Sequence, residues 1–229
     1  MLDWRSSEVG MSREYPSVVI YGTADHAKTV LEILGLREIP VAGFLDPDPL
    51  RRNDRFLSRP ILGTELLLST GEFNFEAGVI AVAASLARSR VATLFKAASV
   101  PLLSAVHPMA VVSPSARLGA GCVVCAGAVV GPGAVIGENA IVHTRAVVDQ
   151  DAELGPFAHV ATGAVVCPGA VLGEHTWVGA NATVLEGRRI GQSTMVGAGA
   201  AVVTDLPDHV LALGVPALVV DSWPDRGNL

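Results

Sequence analysis

Through the second half of the chain an aliphatic residue returns at every sixth position. The series runs Val106, Val112, Leu118, Val124, Val130, Ile136, Val142, Val148, Leu154, Val160, Val166, Leu172, Val178, Val184, Ile190, Val196 and Val202, seventeen positions without a break. At fifteen of the seventeen the residue four places on is small, and it is Ala in twelve; Gly directly follows the aliphatic in eight. A period of six suits neither an α-helix nor a single amphipathic strand, so the segment is a repeat architecture. It predicts a left-handed parallel β-helix. Three hexads close one triangular coil, each aliphatic points inward, and the small residue fits the tight corner.

The preceding segment follows another rhythm. Ser17–Tyr21 reads as a buried strand, followed by Gly22-Thr23-Ala24-Asp25-His26 and a helix over Ala27–Gly35. Val41–Leu45 is a second strand ending at Asp46, Gly78–Ala83 a third, Ala87–Ala98 a helix, and Leu102–Ala105 a short strand entering the repeat. Alternating strands and helices predict a small Rossmann-like α/β domain over 15–104, after a disordered leader at 1–14. The β-helix then occupies 105–229, with a cap at Leu213-Gly214-Val215-Pro216-Ala217 covering its open end. Asp46 falls 24 residues after Gly22, near the spacing at which an acidic residue meets a ribose. The loop holds only one of the three glycines of a dinucleotide fingerprint, so that signal is weak.

Composition narrows the function classes. Half of the 229 residues are apolar, 17% are charged, and the mean hydropathy is +0.47. No uninterrupted apolar run reaches the roughly 18 residues that span a bilayer, so the dry core of the repeat accounts for the hydrophobicity and no membrane is expected. A prism with flat apolar faces predicts a homo-oligomer, by default a homotrimer. A net charge of −6 argues against a nucleic-acid partner. Cys122, Cys125 and Cys167 fall at repeat positions with no second ligand pair, which reads as core or corner filler. With no signal-peptide pattern, a reducing cytoplasm is the expected location.

Five pieces together resemble the bacterial nucleotide-amino-sugar N-acetyltransferases and the related sialic-acid O-acetyltransferases. They are V-V-I-Y-G-T-A-D-H-A at 18–27, F-L-D at 44–46, A-V-H-P-M-A-V-V-S-P-S-A at 105–116, G-P-F-A-H-V at 155–160 and G-V-P-A at 214–217. The resemblance implies acetyl transfer from acetyl-CoA to an amine or hydroxyl of a nucleotide-linked sugar. It places the sugar nucleotide near Gly22, His26, Asp46 and Gln150. It places CoA between neighbouring β-helices, near Pro168, Trp177, Gly179, Gly197 and Gly214, with Trp177 beside the column of His159.

The same resemblance exposes two departures. Relatives carry their general base in a segment like N-T-x-x-x-V-x-H-D, and this chain has His143 at the Asn position and Gln150 at the His position. Pro168 stands where relatives place a glycine whose backbone N–H polarises the acyl carbonyl, and proline has no N–H. Coil arithmetic offers a rearranged site. His143 lies one coil beneath Ala161 and His159 two residues before it, so the two imidazoles approach near one corner. His143 or His159 is then the candidate base, with Asp151 as an orienting carboxylate. Two competing readings stand beside it. One is a catalytically silent β-helix protein that binds a nucleotide sugar or CoA. The other is a different hexapeptide enzyme, such as one holding zinc between His143 and His159 of neighbouring subunits.

Overall fold

The computed structural model describes residues 17–223; the leader expected at 1–14 lies outside the described residues. The first unit is a five-stranded sheet in the order β3-β4-β2-β1-β5, built from β1 (Val18–Tyr21), β2 (Val41–Leu45), β3 (Arg55–Phe56), β4 (Arg59–Gly63) and β5 (Ala77–Ile80). All pairs are parallel except the β3–β4 hairpin. Every residue of β1 is buried, as a central parallel strand covered on both faces requires. On one face Val18 and Ile20 pack against Val30, Ile33 and Leu34 of α1 (Asp25–Leu36). On the other, Val19 and Tyr21 pack against Val91 and Phe95 of α3 (Ser85–Ala97). A single-turn α2 (Leu67–Thr70) precedes β5.

The repeat forms β6 to β22, two-residue strands from Ala105–Val106 to Ala201–Val202, arranged in three parallel sheets. From β6 to β19 each strand pairs with the one eighteen residues on, as Ile141 does with His159 and His159 with Trp177. The periodic aliphatics and corner alanines form one continuous core, which fits a left-handed parallel β-helix. Glycine after the aliphatic is imposed by the next coil: a Cβ on Gly137 would lie 2.5 Å from the Pro156 nitrogen. The end is closed by a hairpin, β23 (Val210–Leu213) and β24 (Leu218–Ser222), whose connection contains the expected cap residues.

The three faces differ in what they present outward. The first carries Val123, Ile141, His159, Trp177 and Met195; its lower coils are covered by α1, with Val123, Cys125 and Ile141 entering the core of the N-terminal unit. The second presents Val111, Val129, Val147 and Val165, an apolar ladder that is half-buried except for Val111, which is exposed. The third alternates Arg117, Val135, Glu153, Val171 and Arg189. No helix among the described residues is long and apolar enough to cross a membrane.

Two details differ from the sequence reading. β5 ends at Ile80, because Val82 and Ala83 turn away and give their carbonyls to Arg88. Leu102 makes only an isolated bridge to Gly78, and the strand that opens the repeat is Ala105–Val106.

Candidate active site

The register of the first face sets the chemistry. His159 and Trp177 occupy paired outward positions of successive coils, and their rings stack with centroids 3.8 Å apart. Trp177 therefore sits within the His159 column, not beside it. His143 follows Val142 at the corner between the first and second faces, and its ring lies 5.5 Å from that of His159, nearly parallel. The approach inferred from coil arithmetic is present. His26, in the first turn of α1, is carried onto the same spot by the packing of α1 on the first face, 5.5 Å from His143. The sequence reading had placed His26 with the nucleotide alone; the fold makes it a third member of an imidazole cluster drawn from both units.

His159 and His26 are buried and His143 is half-buried. Thr162 Oγ1 lies 3.4 Å from His143 Nδ1. Neither ring nitrogen of His26 finds a hydrogen-bond partner in the protein, nor does Nδ1 of His159. Burial is the first cause of a lowered pKa in all three. His26 is pulled down to about 3, with His143 and Arg88 adding to the effect, and His159 is held well below the ordinary value by burial, Arg88 and the other two imidazoles. His143 is shifted down by burial alone. The cluster is thus neutral at neutral pH, the state in which an imidazole accepts a proton.

Above His143 the corner column continues through Ala161, Gly179 and Gly197, as the backbone ladder shows. The column of small residues rises from the imidazole toward the cap, where Gly214 has a φ of +96°. A side chain on Gly179 would strike the Ala198 backbone, and one on Gly197 would strike Leu213.

The other end of the site is the carboxyl edge of β1 and β2. Gly22 has a φ of +104° and a Cβ there would lie 3.0 Å from the Ala81 carbonyl, so the turn into α1 requires glycine. Ala24 caps α1 with no side-chain hydrogen bond, leaving N–H groups of the first turn available. Asp25 faces solvent and is paired with Lys28 at 2.8 Å, which weakens the repulsion a carboxylate beside this turn exerts on a phosphate. Asp46 is buried; Thr23 donates to it, and Arg51 Nη1 lies 2.9 Å from Oδ2. The Thr23 and Arg51 contributions were not anticipated, because they depend on how the turn after β2 folds back over β1.

Other candidates fall elsewhere. Gln150, Asp151 and Pro168 lie at the corner between the second and third faces, across the whole second face from His143. Within one chain Asp151 therefore meets neither His143 nor His159. Among the described residues no group of three or more His, Cys, Asp or Glu is arranged to hold a metal ion. His107 accepts a hydrogen bond from the Met109 backbone, and His175 stacks on Phe157. A groove of about 680 Å³ between α3 and the corner loops at Glu138, Phe157 and Glu174 contains none of the clustered imidazoles.

No family model matches the chain, and no curated protein does. Solved structures do. A histidine-to-alanine variant of the GDP-perosamine N-acetyltransferase from Caulobacter crescentus, in complex with CoA and GDP-perosamine, is 39% identical, with a TM-score of 0.86, over 90% of this chain and 97% of that one. The acetyltransferase domain of PglB from Neisseria gonorrhoeae, in complex with acetyl coenzyme A, is 31% identical, with a TM-score of 0.83, over 90% of this chain and 100% of that one. WeeI from Acinetobacter baumannii, at 19% identity and a TM-score of 0.71 over 89% of this chain and 99% of that one, shares the fold. At these identities and coverages the chain belongs to the nucleotide-sugar N-acetyltransferases, enzymes that transfer an acetyl group from acetyl-CoA.

Proposed function

We propose that this enzyme acetylates the amino group of a hexose carried on a nucleoside diphosphate, with acetyl-CoA as donor. The observation that carries the reading is the convergence of His26 from the α/β unit with His143 and His159 from two coils, with three buried ring nitrogens unpartnered. Buried polar atoms of this kind fit a polar ligand that completes their hydrogen bonds. In this reading the N-terminal unit is a Rossmann-like nucleotide domain. The nucleotide lies over the carboxyl edge of β1 and β2, where ligands of open α/β sheets bind, with its phosphates toward the first turn of α1. The amino sugar then points at the imidazoles. The pantetheine arm of CoA runs along the column of Ala161, Gly179 and Gly197, with Trp177 and the Gly214 turn on its border.

His143 is the proposed general base. Its ring is the most accessible of the three, it is lowered by burial without a neighbouring cation, and it lies at the foot of the column of small residues. It accepts the proton that the amine loses as nitrogen attacks the thioester carbonyl. His159 and His26 line the acceptor side.

The assembly is proposed to be a homotrimer joined through the second face. The corners flanking that face bear His143 on one side and Gln150, Asp151 and Pro168 on the other. Packing the ladder of one copy against the next brings these two corners together, which gives the latter residues a place in a shared site. The three free cysteines suit a reducing cytoplasm.

Incubation with acetyl-CoA and a nucleotide-linked amino sugar is expected to yield a product heavier by one acetyl group. His143→Ala should lower kcat by about 10²–10⁴ while leaving acetyl-CoA binding intact, since a positioned base is worth that much. Full turnover in the variant would remove His143 from the role, and binding without product in the unsubstituted protein would favour a silent ligand-binding protein.

A further inference from the structure

The turn after β2 carries a cation to the mouth of α1. In Asp46-Pro47-Asp48-Pro49-Leu50-Arg51 the two prolines fix φ, and Asp48 Oδ1 accepts from the Leu50 N–H at 2.9 Å, capping a single 3-10 turn over Pro49–Arg51. Asp46 Oδ1 accepts from the Asp48 N–H at 2.9 Å, which tethers that turn to the end of β2. The Arg51 guanidinium is thereby set against Thr23, one residue ahead of the Ala24 cap of α1. Its Nη1 donates to the Thr23 hydroxyl and, at 2.9 Å, to Asp46 Oδ2, which also receives the Thr23 O–H.

The Asp46 side chain is 7% exposed and both of its oxygens are already in use, so it is badly placed to hold a ribose hydroxyl. The Arg51 side chain is 34% exposed, and among the described residues its Nε and Nη2 have no partner. Lys28 of α1 is engaged by Asp25. What this edge offers a ligand is therefore guanidinium N–H groups and not a carboxylate. The place matters, because the loop keeps Gly22 but lacks the further glycines that let a backbone close on a pyrophosphate. A guanidinium fork supplies charge-assisted donors in their stead.

We propose that Arg51 is the cation that binds the diphosphate of the nucleotide sugar, with Asp46 and Thr23 acting through it as positioning residues. The inference rests on the proposed function and deepens it: Asp46 moves from ribose contact to holding Arg51. Since the phosphates are common to all nucleoside diphosphates, this contact gives affinity for the class and no choice among bases.

The test measures equilibrium binding to the full chain, using whichever of GDP, UDP and dTDP binds most tightly together with the nucleoside of the same base. Arg51→Gln should weaken the diphosphate by about tenfold to hundredfold, the worth of a charge-assisted hydrogen bond, and leave the nucleoside and acetyl-CoA unaffected. In turnover the same loss should fall on KM for the nucleotide sugar and not on kcat. Adding Asp46→Asn to Arg51→Gln removes both charges and separates contact from neutralisation; the double variant should stay as weak as Arg51→Gln. Recovery of the unsubstituted affinity in the double variant would show that Arg51 only offsets Asp46 and would overturn the inference. An equal loss on nucleoside and diphosphate overturns it too, by placing Arg51 on the base or ribose, as does an unchanged diphosphate affinity in folded Arg51→Gln. Should the variants not fold, phenylglyoxal modification of the unsubstituted protein decides: saturating diphosphate should shield Arg51 and saturating nucleoside should not, and equal modification under both overturns the inference. Acetyl transfer with unchanged diphosphate binding in Arg51→Gln fails this inference alone, and Arg51-dependent diphosphate binding without acetyl transfer fails the proposed function alone.

Discussion

His26 takes up a proton only near pH 3 in the folded chain, whereas in the unfolded chain it does so near 6.5. Between those values the unfolded state binds more protons, so stability falls as pH drops through the window and gains nothing further above it. His26→Gln removes this contribution. The thermal midpoint of the variant should therefore decline less steeply than that of the parent between pH 6.5 and 3; equal slopes would show that His26 is not buried as described. Gln150 poses a second residue-scale question, because it stands where relatives carry their base. If the proton goes to His143, Gln150→Ala should change kcat less than about tenfold, far below the loss expected for His143→Ala. A loss of similar size in both would return the catalytic role to the Gln150 corner.

At the scale of elements, coil spacing is the most exposed feature. A methyl on Gly137 meets the backbone at Pro156, which cannot swing aside as a side chain tip would. Gly137→Ala should destabilise the fold by about 1–3 kcal/mol in chemical denaturation, and an unchanged midpoint would mean the coils are looser than drawn. The same regularity explains what was legible in the sequence. A strict hexad admits one register, so pairing His143 with Ala161 and His159 with Trp177 is arithmetic, and the proximity of His143 to His159 followed from it. Thr162, nineteen residues from His143, was within reach of the same arithmetic and was overlooked. β3 and β4 had no such signal: Leu57 and Ser58 both take positive φ, Pro60 interrupts the run, and Arg55 and Arg59 are exposed at the sheet edge. His26 and Arg88 act through contacts between the two units, and no periodicity within either unit encodes such a contact.

For the whole molecule, the proposed trimer makes the second face the place where the site would be completed. Val129, Val147 and Val165 form a flat ladder that loses little by being covered, and burying apolar surface drives association. Val147→Arg should convert the proposed trimer to monomer in sedimentation while the circular dichroism stays that of the parent, and it should abolish turnover. A trimer that survives the charge would move the interface to another face. The eighteen-residue period also means that length and chemistry are separable in this molecule. Excising one full turn above Trp177 would shorten the prism without rotating any face, and the three imidazoles would remain in line. Excising the turn between Ile141 and His159 would remove an imidazole or split the cluster, although the spring would wind just as well. The catalytic address is a particular storey of the tower, and the other storeys set only how far the cap stands from it.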